Sequence, residues 1–152
     1  MATMDLRERD WQIRQFVYEY FVEHERPPAY EEAAQRFDLA LEEGLRAYRR
    51  LDAHHALFLE PGAGTVRMAH PLSAVPTPYR VASGGKHYWA NCAWDSLGIP
   101  AMLHDDAEIA ASLATTGEEA NYGVRGGRLQ AGAFFVHFPL PFRRWYDDLI
   151  HT

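Results

Sequence analysis

Apolar residues at three- and four-residue spacing open the chain. Ile13, Phe16, Val17, Tyr20 and Phe21 recur with Arg, Glu and Gln between them, which predicts a helix over residues 5–25 that Arg26-Pro27-Pro28 stops. Tyr30, Ala33, Ala34 and Phe37 predict a short second helix over 30–37, and Leu41, Leu45, Tyr48 and Leu51 predict a third over 41–53. The period then shortens. Two β-type runs, 56–60 and 65–69, flank Pro61-Gly62-Ala63-Gly64, residues that supply a fixed or positive φ, and together they predict a hairpin.

Pro71-Leu72-Ser73-Ala74-Val75-Pro76-Thr77-Pro78 follows as a stiff, extended connection, since each proline fixes φ and removes a donor. Beyond it, runs 79–82 and 86–90 bracket Ser83-Gly84-Gly85 as a second hairpin. Residues 91–98 read as a helix with Asn91 as its N-cap, ended or kinked by Pro100. Residues 108–114, 120–125 and 133–138 are strand candidates, and 143–150 reads as a short helix or an extended tail. Three helices followed by a hairpin is the layout of a winged helix. The expected fold is therefore α+β: a winged-helix-like lobe at 1–70, a Pro-rich connection at 71–78, and at 79–152 a small, mostly antiparallel sheet with the Cys92 helix packed on it. Its core is expected to draw on Trp11, Phe16, Phe37, Leu45, Phe58, Trp89, Trp94, Leu97, Phe134 and Phe138.

Composition narrows the function classes. The chain has 152 residues, room for one packed domain or two small lobes, and one cysteine, Cys92. A single cysteine rules out an internal disulfide framework and a multi-cysteine zinc site, and it points to a reducing, cytoplasmic setting. The net charge is −6, with nine Arg against thirteen Asp and Glu in residues 1–70. That balance argues against nucleic acid as a partner. The third helix begins Leu41-Glu42-Glu43, acidic where a groove-reading helix offers Arg, Asn or Gln, so a structural or homodimer-forming use of the lobe is favoured over DNA reading. The N-terminus lacks a basic start and apolar stretch, and no apolar run is long enough to span a membrane.

The chemistry concentrates at 88–97. With Asn91 as cap, Cys92 takes the first helical position, where orphan N–H groups and the helix dipole are expected to lower its pKa. Asp95, three residues on, shares its face. A sulfur nucleophile beside a carboxylate that can pass a proton suits a soft metal centre, although C-x-x-D is equally the pattern of a small packed cysteine and a dipole-serving aspartate. His54-His55 and His104-Asp105-Asp106 read as a helix end and a solvated loop rather than metal sites.

Tyr88-Trp89-Ala90-Asn91-Cys92-Ala93-Trp94-Asp95-Ser96-Leu97-Gly98-Ile99-Pro100-Ala101 resembles the signature of the alkylmercury (organomercurial) lyase family. Looser similarity extends to the N-terminal lobe, to Ala114-Thr115-Thr116-Gly117 and to Phe135-Val136-His137-Phe138. The resemblance implies that Cys92 captures an organomercurial, small or thiol-bound, and that Asp95 relays a proton to the departing carbon. Mercury or another soft metal ion is then substrate or product at Cys92 and Asp95. It implies no organic cofactor, with an external thiol to carry the metal away.

One departure stands out. The family's second cysteine precedes the strand resembling Phe135-Val136-His137-Phe138, and this chain has Ala133-Phe134 there. Two sulfurs from one chain cannot ligate the metal, which leaves an external thiol as the second ligand, weak activity, or a fold turned to another task, with His137 as a candidate nitrogen ligand. A noncatalytic metal-binding or metal-sensing protein and a winged-helix transcriptional regulator are the competing expectations.

Overall fold

Helix α1, Glu8–His24, buries Ile13, Val17 and Phe21, a stripe repeating every fourth residue. The structure, a computed structural model, describes residues 5–147. At the start of α1 the Asp10 carboxylate accepts the Arg7 backbone N–H at 2.9 Å, satisfying a donor that the helix cannot. Helices α2, Tyr30–Arg36, and α3, Leu41–Ala53, pack at Gly44. A Cβ there would lie 2.9 Å from both the Ala34 Cβ and the Tyr30 carbonyl oxygen, so only glycine allows the approach. Arg50 of α3 reaches Asp10 through two bonds of 3.0 and 2.7 Å, and Glu43 at 3.0 Å. Both members of the Asp10–Arg50 pair are buried, where a charge persists only with its partner.

The strands are β1 Phe58–Leu59, β2 Val66–Ala69, β3 Leu72–Ser73, β4 Tyr79–Ser83, β5 Lys86–Ala90, β6 Ala107–Ser112, β7 Glu119–Arg125 and β8 Arg128–Gln130. They form one sheet in the order β1-β2-β3-β5-β4-β6-β7-β8, with every neighbouring pair antiparallel. Within residues 71–78, β3 pairs with β2 on one side and β5 on the other, so the first hairpin runs into the main sheet. Helix α4, Ala93–Leu103, packs on β4 to β7. Alternation along β6 turns Ala107, Ile109 and Ala111 inward and Glu108, Ala110 and Ser112 outward.

Two apolar clusters result. Ile13, Val17, Tyr48, Leu51 and Leu57 centre the first, among the helices. Val81, Tyr88, Ile99 and Ile109 centre the second, between α4 and the sheet, and Phe21 joins it from α1. Helix α1 therefore belongs to both. Its carboxyl end is tied to β5, where the Tyr88 hydroxyl donates to the Val22 carbonyl at 2.9 Å and Lys86 Nζ meets Glu23 at 2.7 Å.

Several expectations change. Residues 133–138 form no strand. The sheet ends at β8, and the chain beyond it leaves the ladder to run as an exposed arm to a 3₁₀ turn, Phe142–Asp147. Phe138 of the arm packs edge-on against Trp94 and stacks on Trp145, so its apolar contacts are aromatic rather than sheet-like. Trp11, Trp94, Phe134 and Phe138, expected in the core, are each at least 40% exposed. The end of the predicted 143–150 segment, from residue 148, lies outside the described residues. Among the described residues no helix is long and apolar enough to cross a membrane.

Candidate functional site

Strand β5 delivers the chain to the site, and the turn out of it is anchored. The Thr77 hydroxyl donates to the Ala90 carbonyl at 2.5 Å, the Asn91 N–H to the Pro71 carbonyl at 3.4 Å, and Asn91 Nδ2 to the Leu72 carbonyl at 3.3 Å. Asn91 is therefore not the helix cap. Cys92 occupies that position, extended at φ −148° and ψ 179°, and its carbonyl accepts the Ser96 N–H at 3.1 Å. Asn91 is held back by its bonds to the 71–72 segment, which moves the helix start one residue on.

Cys92 and Asp95 come together as their spacing predicts. The half-buried Cys92 Sγ lies 3.5 Å from Asp95 Oδ2. The expected direction of the Cys92 pKa is reversed. Burial pushes the thiol up, the Asp95 charge adds to the rise, and the backbone N–H groups of Asp95 and Trp94 oppose it too weakly, leaving Cys92 at about 11. The helix-dipole expectation fails because a facing carboxylate and a dry setting outweigh the partial charge of the helix end. At neutral pH the resting group is a thiol whose proton points at a carboxylate.

A third group, overlooked in the sequence, completes the cluster. His70 Nδ1 lies 3.4 Å from the same Asp95 Oδ2 and 3.2 Å from Asn91 Nδ2. Nothing in the spacing signals it, because His70 stands 25 residues before Asp95 and arrives through the pairing of β3 with β5. Below the pair, the Ser96 hydroxyl sits 2.6 Å from the Tyr122 hydroxyl. Burial raises both Tyr79 and Tyr122.

His137 is exposed on the arm, and the structure gathers His70 instead beside the pair. His55 stacks on Tyr146 at 4.1 Å between ring centres. Asp106, in the His104-Asp105-Asp106 loop, accepts the Gly126 N–H at 2.7 Å, a loop tie. Cys92, Asp95 and His70 meet along one carboxylate oxygen, and among the described residues no group of three or more His, Cys, Asp or Glu side chains is arranged to hold a metal ion. The site thus offers one soft ligand beside one carboxylate, an arrangement that can suit a soft metal arriving with other ligands.

Known proteins share sequence and fold with this chain. The alkylmercury lyase family profile matches residues 72–150. An alkylmercury lyase from Staphylococcus epidermidis is 34% identical over 62 residues, which make up 41% of this chain and 29% of that protein. The fold is similar to a crystal structure of the mercury-bound form of MerB2, with a TM-score of 0.67 and 20% identity, over 82% of this chain and 60% of that one. At that identity the likeness is one of fold. The chain spans less than two thirds of either relative's length.

Proposed function

Because this chain belongs to the alkylmercury lyase family, we propose that it binds an organomercurial at Cys92 and cleaves the carbon–mercury bond by protonolysis with Asp95. The observation that carries this reading is the 3.5 Å contact between Cys92 Sγ and Asp95 Oδ2. A thiol held up at about 11 is a weak nucleophile until its proton is taken, and Asp95 is placed to take it. The sulfur then bonds to mercury as the incoming ligand, a thiolate or halide, departs. The proton, now on Asp95, passes to the metal-bound carbon, and the electron pair of the C–Hg bond becomes the new C–H bond. Hydrocarbon leaves, Asp95 is again a carboxylate, and Hg(II) stays on Cys92 with its oxidation state unchanged. No organic cofactor enters this sequence. With one cysteine in the chain, the second sulfur on mercury comes from a small external thiol, which a reducing cytoplasm supplies and which carries the metal away.

The lobe divisions belong to the same proposal: a winged-helix-like lobe at 1–70, a connection at 71–78, and a lyase-like domain at 79–152. The first lobe serves structurally. Arg50 of α3 is buried against Asp10 and Glu43 and is not presented to a phosphate backbone, and the exposed Arg46 is already paired with Glu42 and Glu43. Whether two such chains pair as a homodimer is read by sedimentation.

The test is to supply purified protein with phenylmercury and excess small thiol and to measure released benzene. Turnover by wild type and none by Cys92→Ser is expected. Equal release by both overturns the assignment. One equivalent of mercury captured with no benzene establishes a noncatalytic metal-binding protein instead.

A further inference from the structure

We propose that His70 is a positioning residue for Asp95, holding its Oδ2 beside the Cys92 sulfur while the proton is delivered. This inference rests on the lyase reading above. Among the described residues, Cys92 and His70 are the side chains that meet the Asp95 carboxylate, and both meet the same oxygen, at 3.5 and 3.4 Å. Asp95 is on the first turn of α4, and its side chain is 16% exposed. Without a second partner it has the freedom to turn toward solvent or the helix N–H groups, away from the sulfur.

His70 is itself fixed from several directions, which a surface histidine with no task does not need. Its carbonyl accepts the Tyr18 hydroxyl of α1 at 2.9 Å. Tyr18 in turn accepts from Arg14 Nη2 at 3.2 Å, and Arg14 Nε donates to the Ala56 carbonyl at 3.0 Å. The His70 ring meets Phe58 edge-on, 5.1 Å between ring centres. Asn91 Nδ2 lies 3.2 Å from Nδ1 and donates to the Leu72 carbonyl at 3.3 Å, which sets which end of the amide faces the histidine and makes it a donor to Nδ1 whenever that nitrogen carries no proton. The helical lobe thus holds the His70 backbone, while β1 and the turn before α4 meet its imidazole.

The chemistry of Nδ1 suits the task. When Nδ1 carries a proton it donates to the Asp95 carboxylate at Oδ2, and when it carries none its one lone pair is shared between the Asn91 Nδ2 donor and Asp95 as a carboxylic acid. The orientation of Asp95 is thereby kept through both halves of the proton's passage. Small misplacement of a group that transfers a proton costs about a hundredfold in rate, so a loosened Asp95 slows bond cleavage while leaving capture at Cys92 untouched.

The experiment loads wild type, His70→Ala, His70→Asn and His70→Gln with one equivalent of phenylmercury and follows benzene release in a single turnover. Asn places an amide near the position of Nδ1, and Gln reaches toward Nε2. All four are expected to capture one equivalent. His70→Ala and His70→Gln are expected to release benzene about ten- to a hundredfold more slowly, and His70→Asn to recover most of the rate. In an Asp95→Asn background, His70→Ala is expected to add no further slowing. Release by His70→Ala at the wild-type rate, a His70→Asn as slow as His70→Ala, or loss of capture in step with loss of rate each overturns the positioning role. A wild type that captures phenylmercury and releases no benzene overturns the lyase reading itself, a result separate from these.

Discussion

Replacing Asp95 with Asn removes the charge facing the Cys92 sulfur while keeping the side chain's shape. Burial is the larger cause holding the Cys92 thiol at about 11 against an ordinary 9.0, and the Asp95 charge is the next. Removing that charge should lower the pKa of the thiol, and the loss of a like charge this close should raise the thiolate fraction about tenfold at a given pH. Alkylation by iodoacetamide reads this directly, because Cys92 is the single cysteine in the chain. Between pH 7 and 9.5 the wild-type rate should climb without a plateau, and Asp95→Asn should react about tenfold faster at each pH. The sign extends to stability. A thiol harder to ionise when folded contributes fully below the ordinary cysteine range, and its contribution is lost as pH rises toward about 11. A wild-type plateau near pH 8, or an Asp95→Asn protein that reacts more slowly, would refute the claim that the carboxylate and burial together keep this sulfur protonated.

Other consequences lie in the scaffold. Asp10→Ala leaves Arg50 charged and buried beside the remaining Glu43 contact and should cost about 3–5 kcal/mol in urea denaturation, whereas a loss under 1 kcal/mol would show that the pair is not buried as described. Burial pushes Asp10 up, but its bonds to Arg50 and to the Arg7 N–H prevail and hold it below the ordinary carboxylate value; Arg46 and Arg50 hold Glu43 down. Their stabilisation is present above about pH 4 and lost as pH falls through the lower folded-state values, so Arg50→Met should raise the midpoint of acid unfolding; an unchanged midpoint contradicts this. Gly123→Ala sets a Cβ 2.5 Å from the Ala107 carbonyl oxygen, a backbone atom that cannot step aside, and should lower stability by about 3 kcal/mol in thermal unfolding; a neutral effect would mean that β6 and β7 are less closely joined.

What was legible in the sequence was whatever periodicity and local spacing encode. Helix α3 spans the predicted 41–53, because its apolar stripe is a local signal. The second hairpin was legible through Ser83-Gly84-Gly85, where both glycines take positive φ. Cys92 and Asp95 meet because three residues make one helical turn. The illegible parts depend on long-range pairing. His70 reaches Asp95 only once β3 lies between β2 and β5, and the Cys92 pKa is set by burial and a facing charge rather than by helix position alone. The run at 133–138 carries strand-forming residues, yet β propensity needs a partner edge, and the chain leaves the sheet after β8 to pack aromatic rings against Trp94. Trp11 and Trp94 show the same limit, since bulk marks a residue as a core candidate without saying which way its stripe faces.

The central claim is that an exchangeable proton relayed through Cys92 and Asp95 ends on the carbon while mercury stays on the protein. A single turnover of wild-type protein with one equivalent of phenylmercury in D₂O tests it most directly, with the hydrocarbon and the protein weighed by mass spectrometry. Benzene carrying one deuterium and a protein retaining one Hg(II) at Cys92 are expected. Benzene without deuterium, or intact phenylmercury still bound after many hours with thiol present, would contradict it.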